Sequence, residues 1–374
     1  MQFPRVKSEH LPFRTPHGTV RIGGEIYGLA AEIRDPHDWV ATALDLMDGR
    51  RTPPDIARCL LEHFAGLSAT QADGLLTALL ATGYIEDAVN DEPATPSGSE
   101  ADRYSRNLAY FRRVDLRPGH TPRQAQNALA RSRVLVLGLG GTGSHAAWAL
   151  AAAGIGAIHC VDHDRVEASN LTRQVLYTEA DIGRPKAQAA AERLRSVNSQ
   201  ARITFEHRAV TDERQLDELL AGFDILALCA DEPDSESLRG WVSKAAVRAG
   251  VPWVGGGYNG PLVTVGVFTP EGPCFPCLAA GEEALLPAGP PPRLGGQGVI
   301  APSAGISGQL VANEVIALLT GISRTRPGFI RGINLIAPDD LVYVRHPALP
   351  DCPTCNRPPV LPAGPLTTPG SERP

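Results

Sequence analysis

The run Val134-Leu135-Val136-Leu137-Gly138-Leu139-Gly140-Gly141-Thr142-Gly143 decides how this chain is read. Four apolar residues in a row make a short buried strand. A glycine-rich turn comes next and opens a helix. Glycines at 138, 140, 141 and 143 let the backbone approach a phosphate, and the helix N-terminus adds amide hydrogens and the positive end of its dipole. Asp162 stands at the end of the next apolar run, placed to bind ribose hydroxyls. By itself this is a dinucleotide fingerprint. It fits an NAD-dependent oxidoreductase or a degenerate nucleotide fold as readily as an ATP enzyme.

Working outward, short β-rich runs alternate with helical stretches from Arg103 onward. The runs are Val134–Leu137, Ile158–Val161, Ile203–Phe205, Ile225–Leu228 and Val251–Val254. That alternation predicts an α/β fold with a doubly wound, Rossmann-like parallel sheet. After Gly257 the chain is richer in Gly and Pro, with further runs at Val263–Phe268 and Leu341–Val344 and a helix around Gln309–Leu319.

The residues after Asp162 change the balance between the readings. Asp162 and Asp164 lead to Asn170, Arg173 and Gln174, closely spaced, and then to Asp181-Ile182-Gly183-Arg184-Pro185-Lys186. Hydride transfer needs no such cluster of cations near the phosphates. Nucleotidyl transfer does, because charge builds on the α-phosphate oxygens and on the leaving pyrophosphate. Taken singly, Arg173 and Lys186 read as solvated charges and Asp231 as a helix cap.

In combination these residues resemble the ThiF/MoeB family, the ubiquitin-activating-like adenylyltransferases. The resemblance runs from about Arg103 to Asn356. It rests on GxGGxG, DxD, NLxRQ and DIGxPK, then Cys229-Ala230-Asp231, then two CxxC pairs. It implies that Asp162 holds the ribose, with Asp164 beside it, and that Asn170, Arg173 and Gln174 approach the phosphates. Lys186 would neutralise charge at the α-phosphate, and Asp231 would hold Mg²⁺. Arg103-Tyr104-Ser105-Arg106-Asn107 is similar to a family segment whose Arg reaches the partner subunit's ATP, which implies a homodimer with Arg106 acting in trans. The family has Gln where Asn107 stands. The region Ala301–Gly305 and the helix after it match the part that the family uses for dimer and substrate contacts.

Cys274-Phe275-Pro276-Cys277 and Cys352-Pro353-Thr354-Cys355 have the spacing of a closed four-thiolate zinc site. Such a metal staples the C-terminal segment rather than catalysing. Between Leu278 and Ile300 the family often carries a crossover loop, sometimes with a thioester-forming Cys. Here the loop is Gly/Pro-rich, reads as mobile and has no Cys, so the chemistry ends at the acyl-adenylate or at attack by an external nucleophile. Cys59, Cys160 and Cys229 read as packed core thiols.

Residues 1–90 read as a separate unit. His17–Tyr27 gives two short strands around Gly23-Gly24. Asp35-Pro36 and Thr52-Pro53 open helices, and Leu75, Leu76, Leu79 and Leu80 mark a third. The order predicts a winged-helix arrangement, and it is similar to the PqqD-like elements that bind leader peptides in ribosomal peptide-modification pathways. A DNA-binding winged helix and a dimer cap are the alternatives. Thr70–Leu80 shows no basic face, which speaks against DNA. Residues 91–101 read as a linker, 102–356 as the adenylyltransferase domain, and 357–374 as a disordered proline-rich tail.

Composition excludes several classes. The net charge of −6 gives no support to a nucleic-acid partner, and no apolar run suits a membrane span. The N-terminus lacks a hydrophobic signal core and reads as cytoplasmic. The resemblances imply as partners a precursor peptide, or a ubiquitin-like sulfur carrier, and a downstream enzyme that uses the activated product. A non-catalytic leader-presenting protein remains as a further alternative, although a scaffold would not need Arg173, Lys186 and Asp231.

Overall fold

The computed structural model describes residues 1–24, 28–90, 99–285 and 298–356. The N-terminal unit holds β1 (Pro4–Val6), β2 (Phe13–Arg14), β3 (Thr19–Ile22) and β4 (Ala31–Arg34). It continues with α1 (Trp39–Leu46), α2 (Pro53–His63), α3 (Ala69–Leu80) and β5 (Ile85–Asp87). Strands β2, β3 and β4 form an antiparallel sheet, and β1 pairs with β5. The hairpin partner of β3 begins at Ala31, not within His17–Tyr27; residues 25–27 lie outside the described set. Val20, Ile22, Leu44, Ile56, Leu60, Leu76 and Leu79 close the core.

Capping chemistry explains where the helices start. Thr52 and Asp55 form a capping box at α2 with Pro53 first in the helix, and Ser68 and Gln71 form another at α3. Helix α1 departs from expectation: it starts at Trp39, not at Pro36. Asp35 still caps it, because its carboxylate accepts the Val40 amide at 3.0 Å and the Ala41 amide at 2.8 Å.

Residues 91–98 of the expected linker lie outside the described set, and α4 (Ser99–Val114) begins before residue 102. The N-terminal unit is seated on the end of α4. Lys7 Nζ donates to the Asp115 carbonyl at 2.9 Å, and His10 Nε2 to the Arg113 carbonyl at 2.8 Å. Arg112 pairs with Glu86 at 2.5 Å and with Glu9 at 3.3 Å.

Beyond α5 (Pro122–Arg131) the expected alternation appears. The elements are β6 (Arg133–Leu137), α6 (Gly141–Ala153), β7 (Ala157–Val161), α7 (Lys186–Val197), β8 (Arg202–Glu206), α8 (Glu213–Leu220), β9 (Ile225–Leu228) and α9 (Ser235–Ala249). They lead to β10 (Trp253–Asn259), β11 (Leu262–Phe268), α10 (Phe275–Glu283), α11 (Ala301–Thr320), β12 (Phe329–Asn334) and β13 (Leu341–Val344). One eight-stranded sheet results, ordered β13-β12-β11-β10-β9-β6-β7-β8. The half from β10 to β8 is parallel, as expected for a doubly wound sheet. Strands β11 to β13 are antiparallel, so the sheet is mixed. Val251 precedes β10 rather than opening it, and β12 lies outside every strand expected from the sequence.

The parallel strands are buried on both faces. One apolar cluster joins Val134, Val136 and Ile158 to α6, α7 and α11; the other joins Leu135, Leu137 and Leu226 to α8 and α9. Helix α11 starts eight residues before the expected Gln309 and turns a face of small residues onto α6. A Cβ at Gly308 would lie 2.4 Å from the Thr142 carbonyl oxygen, so Gly308 sets how closely the two helices meet. Much of α11 is thereby committed to the core of its own chain. Among the described residues, no helix is long and apolar enough to cross a membrane.

Candidate active site

Strand β6 continues through α6 to β7 on one side, while its other neighbour is β9. This is a topological switch point, where a crevice opens beyond the carboxyl ends of the strands. The crevice here is a cleft of about 680 Å³. Its walls carry Gly138, Gly140 and Gly141 after β6, Asp162 and Asp164 after β7, and Asp231 after β9. Asn170, Arg173, Gln174 and Lys186 complete one lobe. Residues as far apart in the chain as Gly138 and Asp231 are thus brought together by strand order.

The turn after β6 is built for close approach. Gly138 has φ +87, and a Cβ on it would lie 2.6 Å from the Ala230 amide nitrogen. Gly140 faces open space, with only Gln174 near its missing Cβ, at 3.8 Å. Gly143 does not line the cleft. Its Cβ would lie 1.9 Å from the Gly138 carbonyl oxygen, so it lets α6 pack under the turn. Packing by itself therefore requires glycine at this position.

Asp162 is 7 % exposed and braces two loops at once. Its Oδ2 accepts the Leu139 amide at 2.6 Å and its Oδ1 accepts the Asp164 amide at 2.7 Å. The buried Tyr177 hydroxyl donates to the Leu139 carbonyl at 3.0 Å from the other side. Lys186, at the start of α7 and 5 % exposed, donates to Asp164 Oδ2 at 2.7 Å. That leaves two ammonium hydrogens for other acceptors. Asn170 caps its own short turn, its Oδ1 accepting the Glu167 amide at 3.1 Å.

Arg173 and Gln174 carry the open valences. Arg173 Nη1 donates to the Ser169 carbonyl at 3.1 Å, but the buried Arg173 Nε has no partner among the described residues. Neither has the buried Gln174 Oε1, on a residue 4 % exposed. Buried polar atoms without partners cost about 1–3 kcal/mol each. Their place in a cleft wall fits a polar ligand such as a nucleotide that supplies the missing bonds.

A second lobe of the cleft could not be foreseen from the motifs. It is formed by Gly256, Gly257, Tyr258, Asn259 and Thr264 of β10 and β11 together with Arg239 of α9. Arg239 lies in the second turn of α9 and in no motif, so nothing local singles it out. His163 is a further residue that the motifs did not mark; its Nε2 lies 3.0 Å from Glu232 and 3.4 Å from Asp164 at the cleft. Arg106 is exposed on α4 and is not among the residues lining the cleft of its own chain. Asn107, at the position where the expected segment has Gln, donates to Gln126 Oε1 and to the Ala153 carbonyl, both at 3.1 Å.

The four paired cysteines converge. Sγ–Sγ separations are 3.7 Å for Cys274–Cys277, 3.6 Å for Cys274–Cys352 and 3.6 Å for Cys277–Cys355. Zinc–thiolate bonds of about 2.3 Å in a tetrahedron imply edges of about 3.8 Å, so this donor set fits zinc. The set is closed and largely buried. Cys160 and Cys229 are different: burial pushes both thiols up to about 12. Cys229 lines the cleft but is protonated at neutral pH and is a poor nucleophile.

Comparison with known proteins fits this geometry. The model of the ThiF family matches residues 104–354. The chain belongs to the ThiF family. Family relatives include the molybdopterin-synthase adenylyltransferase of Escherichia coli, 35 % identical over 60 % of this chain and 86 % of that protein. The sulfur carrier protein adenylyltransferase of Thermus thermophilus is 34 % identical over 68 % of this chain and 91 % of the relative. The crystal structure of E. coli MccB with AMPCPP and MccA has the same fold, with a TM-score of 0.70 at 23 % identity over 95 % of this chain and 100 % of MccB. Among the readings the glycines left open, ThiF membership selects an ATP-using adenylyltransferase.

Proposed function

We propose that this adenylyltransferase activates the carboxylate of a ribosomally made precursor peptide held by the N-terminal unit. The convergence of Arg173, Gln174 and Lys186 on one cleft, with Arg173 Nε and Gln174 Oε1 lacking partners, carries the nucleotide part of this reading. ATP would lie along the glycine turn, its ribose toward Asp162. A carboxylate oxygen attacks the α-phosphorus, the bond to the bridging oxygen breaks, and pyrophosphate leaves. Arg173 and Lys186 stabilise the charge that grows on the phosphate oxygens. Asp231, exposed beyond β9, would hold a divalent cation, which supplies charge neutralisation for the leaving pyrophosphate.

The N-terminal unit supports the peptide part. The family model begins at residue 104 and leaves this unit outside it. Strands β2 and β4 are the two edges of its sheet, and an extended peptide can add to such an edge. The MccB likeness covers the unit too, as a likeness of fold. A second reading, activation of a ubiquitin-like sulfur carrier, is favoured by the Thermus thermophilus relative's name. In either case the acyl group passes to an external nucleophile, since Cys229 is protonated and residues 278–300 contain no Cys. Residues 286–297 of that loop lie outside the described set.

Pyrophosphate exchange into ATP, driven by the acyl substrate, tests the assignment. Arg173→Ala and Asp231→Ala should each abolish it; unchanged exchange in both would sink the reading. Binding of a precursor peptide that is lost on truncating residues 1–90, while ATP binding persists, separates the peptide reading from the carrier reading.

A further inference from the structure

The cations around the cleft are not equivalent. Lys186 is paired with Asp164, and Arg208 donates to Glu218 at 3.1 Å. Arg173 holds the Ser169 carbonyl. Arg239 has no hydrogen bond or ion pair among the described residues; its guanidinium lies over the Phe275 ring, 5.6 Å from the centroid. Burial disfavours its charge and Asp231 partly restores it, although the two side chains form no ion pair. A guanidinium that is half-buried and unpaired at a cleft wall is open to an acceptor, and its planar fork suits a carboxylate. Arg239 lines the same cleft as the glycine turn. The second lobe borders the glycine turn, the Tyr258 hydroxyl lying 2.6 Å from where a Cβ on Gly141 would stand, and Gly257 opens onto Arg239, its missing Cβ lying 3.7 Å from Nη2.

We propose that Arg239 receives the acyl group of the substrate, first as the free carboxylate and then as the carbonyl of the mixed anhydride. This rests on the adenylation reading above. The Phe275 ring backs the guanidinium on one side and leaves its hydrogen-bonding edge to the lobe. Arg239 thereby orients the attacking carboxylate and offsets its repulsion by ATP. It is a specificity-determining residue for the acyl half of the reaction.

Calorimetric titration of the full chain with two probes tests this. AMP fills the nucleotide lobe alone, and 5′-O-(N-glycylsulfamoyl)adenosine adds a carbonyl where the acyl group would lie. Arg239→Gln should weaken the sulfamate by about 10- to 100-fold, the range for a lost charge-assisted hydrogen bond, with AMP affinity changed less than about twofold. Arg239→Lys should fall between. Equal losses for both probes, in both variants, would place Arg239 in nucleotide binding or in folding and overturn the proposal, as would no loss for the sulfamate. Failure of the unsubstituted protein to bind AMP or ATP would instead overturn the adenylation reading.

Discussion

Gly143 lies so close to the Gly138 carbonyl that a methyl group has nowhere to go. Gly143→Ala should destabilise the protein by about 3 kcal/mol, read from denaturant midpoints; a loss below about 1 kcal/mol would refute the packing role. Three histidines make a second expectation. Burial lowers the native pKa of His10, His145 and His159, with Glu206 partly opposing it at His159. Above about 6.5 the native and unfolded forms are both neutral and stability is complete. As pH falls below about 6.5, the unfolded chain takes up protons that the native state resists, and stability declines toward the lowered native values. Melting temperature should therefore drop between about pH 7 and pH 5, and a flat profile would contradict this. The candidate site is legible where chemistry demands a fixed order: Gly138, Gly140, Gly141, Asp162, Arg173, Gln174 and Lys186 stand in spaced motifs and line one cleft, and the four paired cysteines converge. At Gly143 the sequence does not separate two causes, since ligand approach and packing both select glycine. Arg239 and Tyr258 are not legible, because strand and helix placement alone brings them to the cleft.

Helix starts show what short-range chemistry can convey. The Thr52 box at α2 could be read directly, whereas Asp35 reaches forward to amides of residues 40 and 41. Asp35→Ala should cost about 1–2 kcal/mol, measurable as a shift in the urea midpoint of the N-terminal unit. An unchanged midpoint would mean that α1 is held by packing alone. The parallel strands were visible because burial on both faces makes them continuously apolar. Strand β12 was not: Phe329-Ile330-Arg331-Gly332-Ile333-Asn334 mixes a charge and a glycine into the run. Arg331 pairs with Glu314 of α11 at 2.5 Å, so tertiary pairing compensates for what local propensity lacks. Strands β1, β2 and β5 span only two or three residues each, too few for a periodic signal.

At the scale of the molecule, the four-cysteine cluster brings residues 352–355 to the start of α10, and Phe275 between Cys274 and Cys277 backs Arg239. Elemental analysis should give one zinc per chain. Chelation should lower the melting temperature and reduce sulfamate affinity more than AMP affinity; metal-free protein with full stability would refute the staple. The N-terminal unit adds a second attachment, through Lys7, His10, Glu9 and Glu86, to the end of α4, the helix that carries Arg106. Because Arg106 does not line the cleft of its own chain, a dimer in which it serves the neighbour would share its parts between subunits. Two separately inactive proteins, Arg173→Ala and Arg106→Ala, would then rescue one another when mixed and re-associated. Each hybrid would contain one cleft with both arginines intact, giving up to about half the activity of an unsubstituted dimer per hybrid, and two inactive preparations would become one active one.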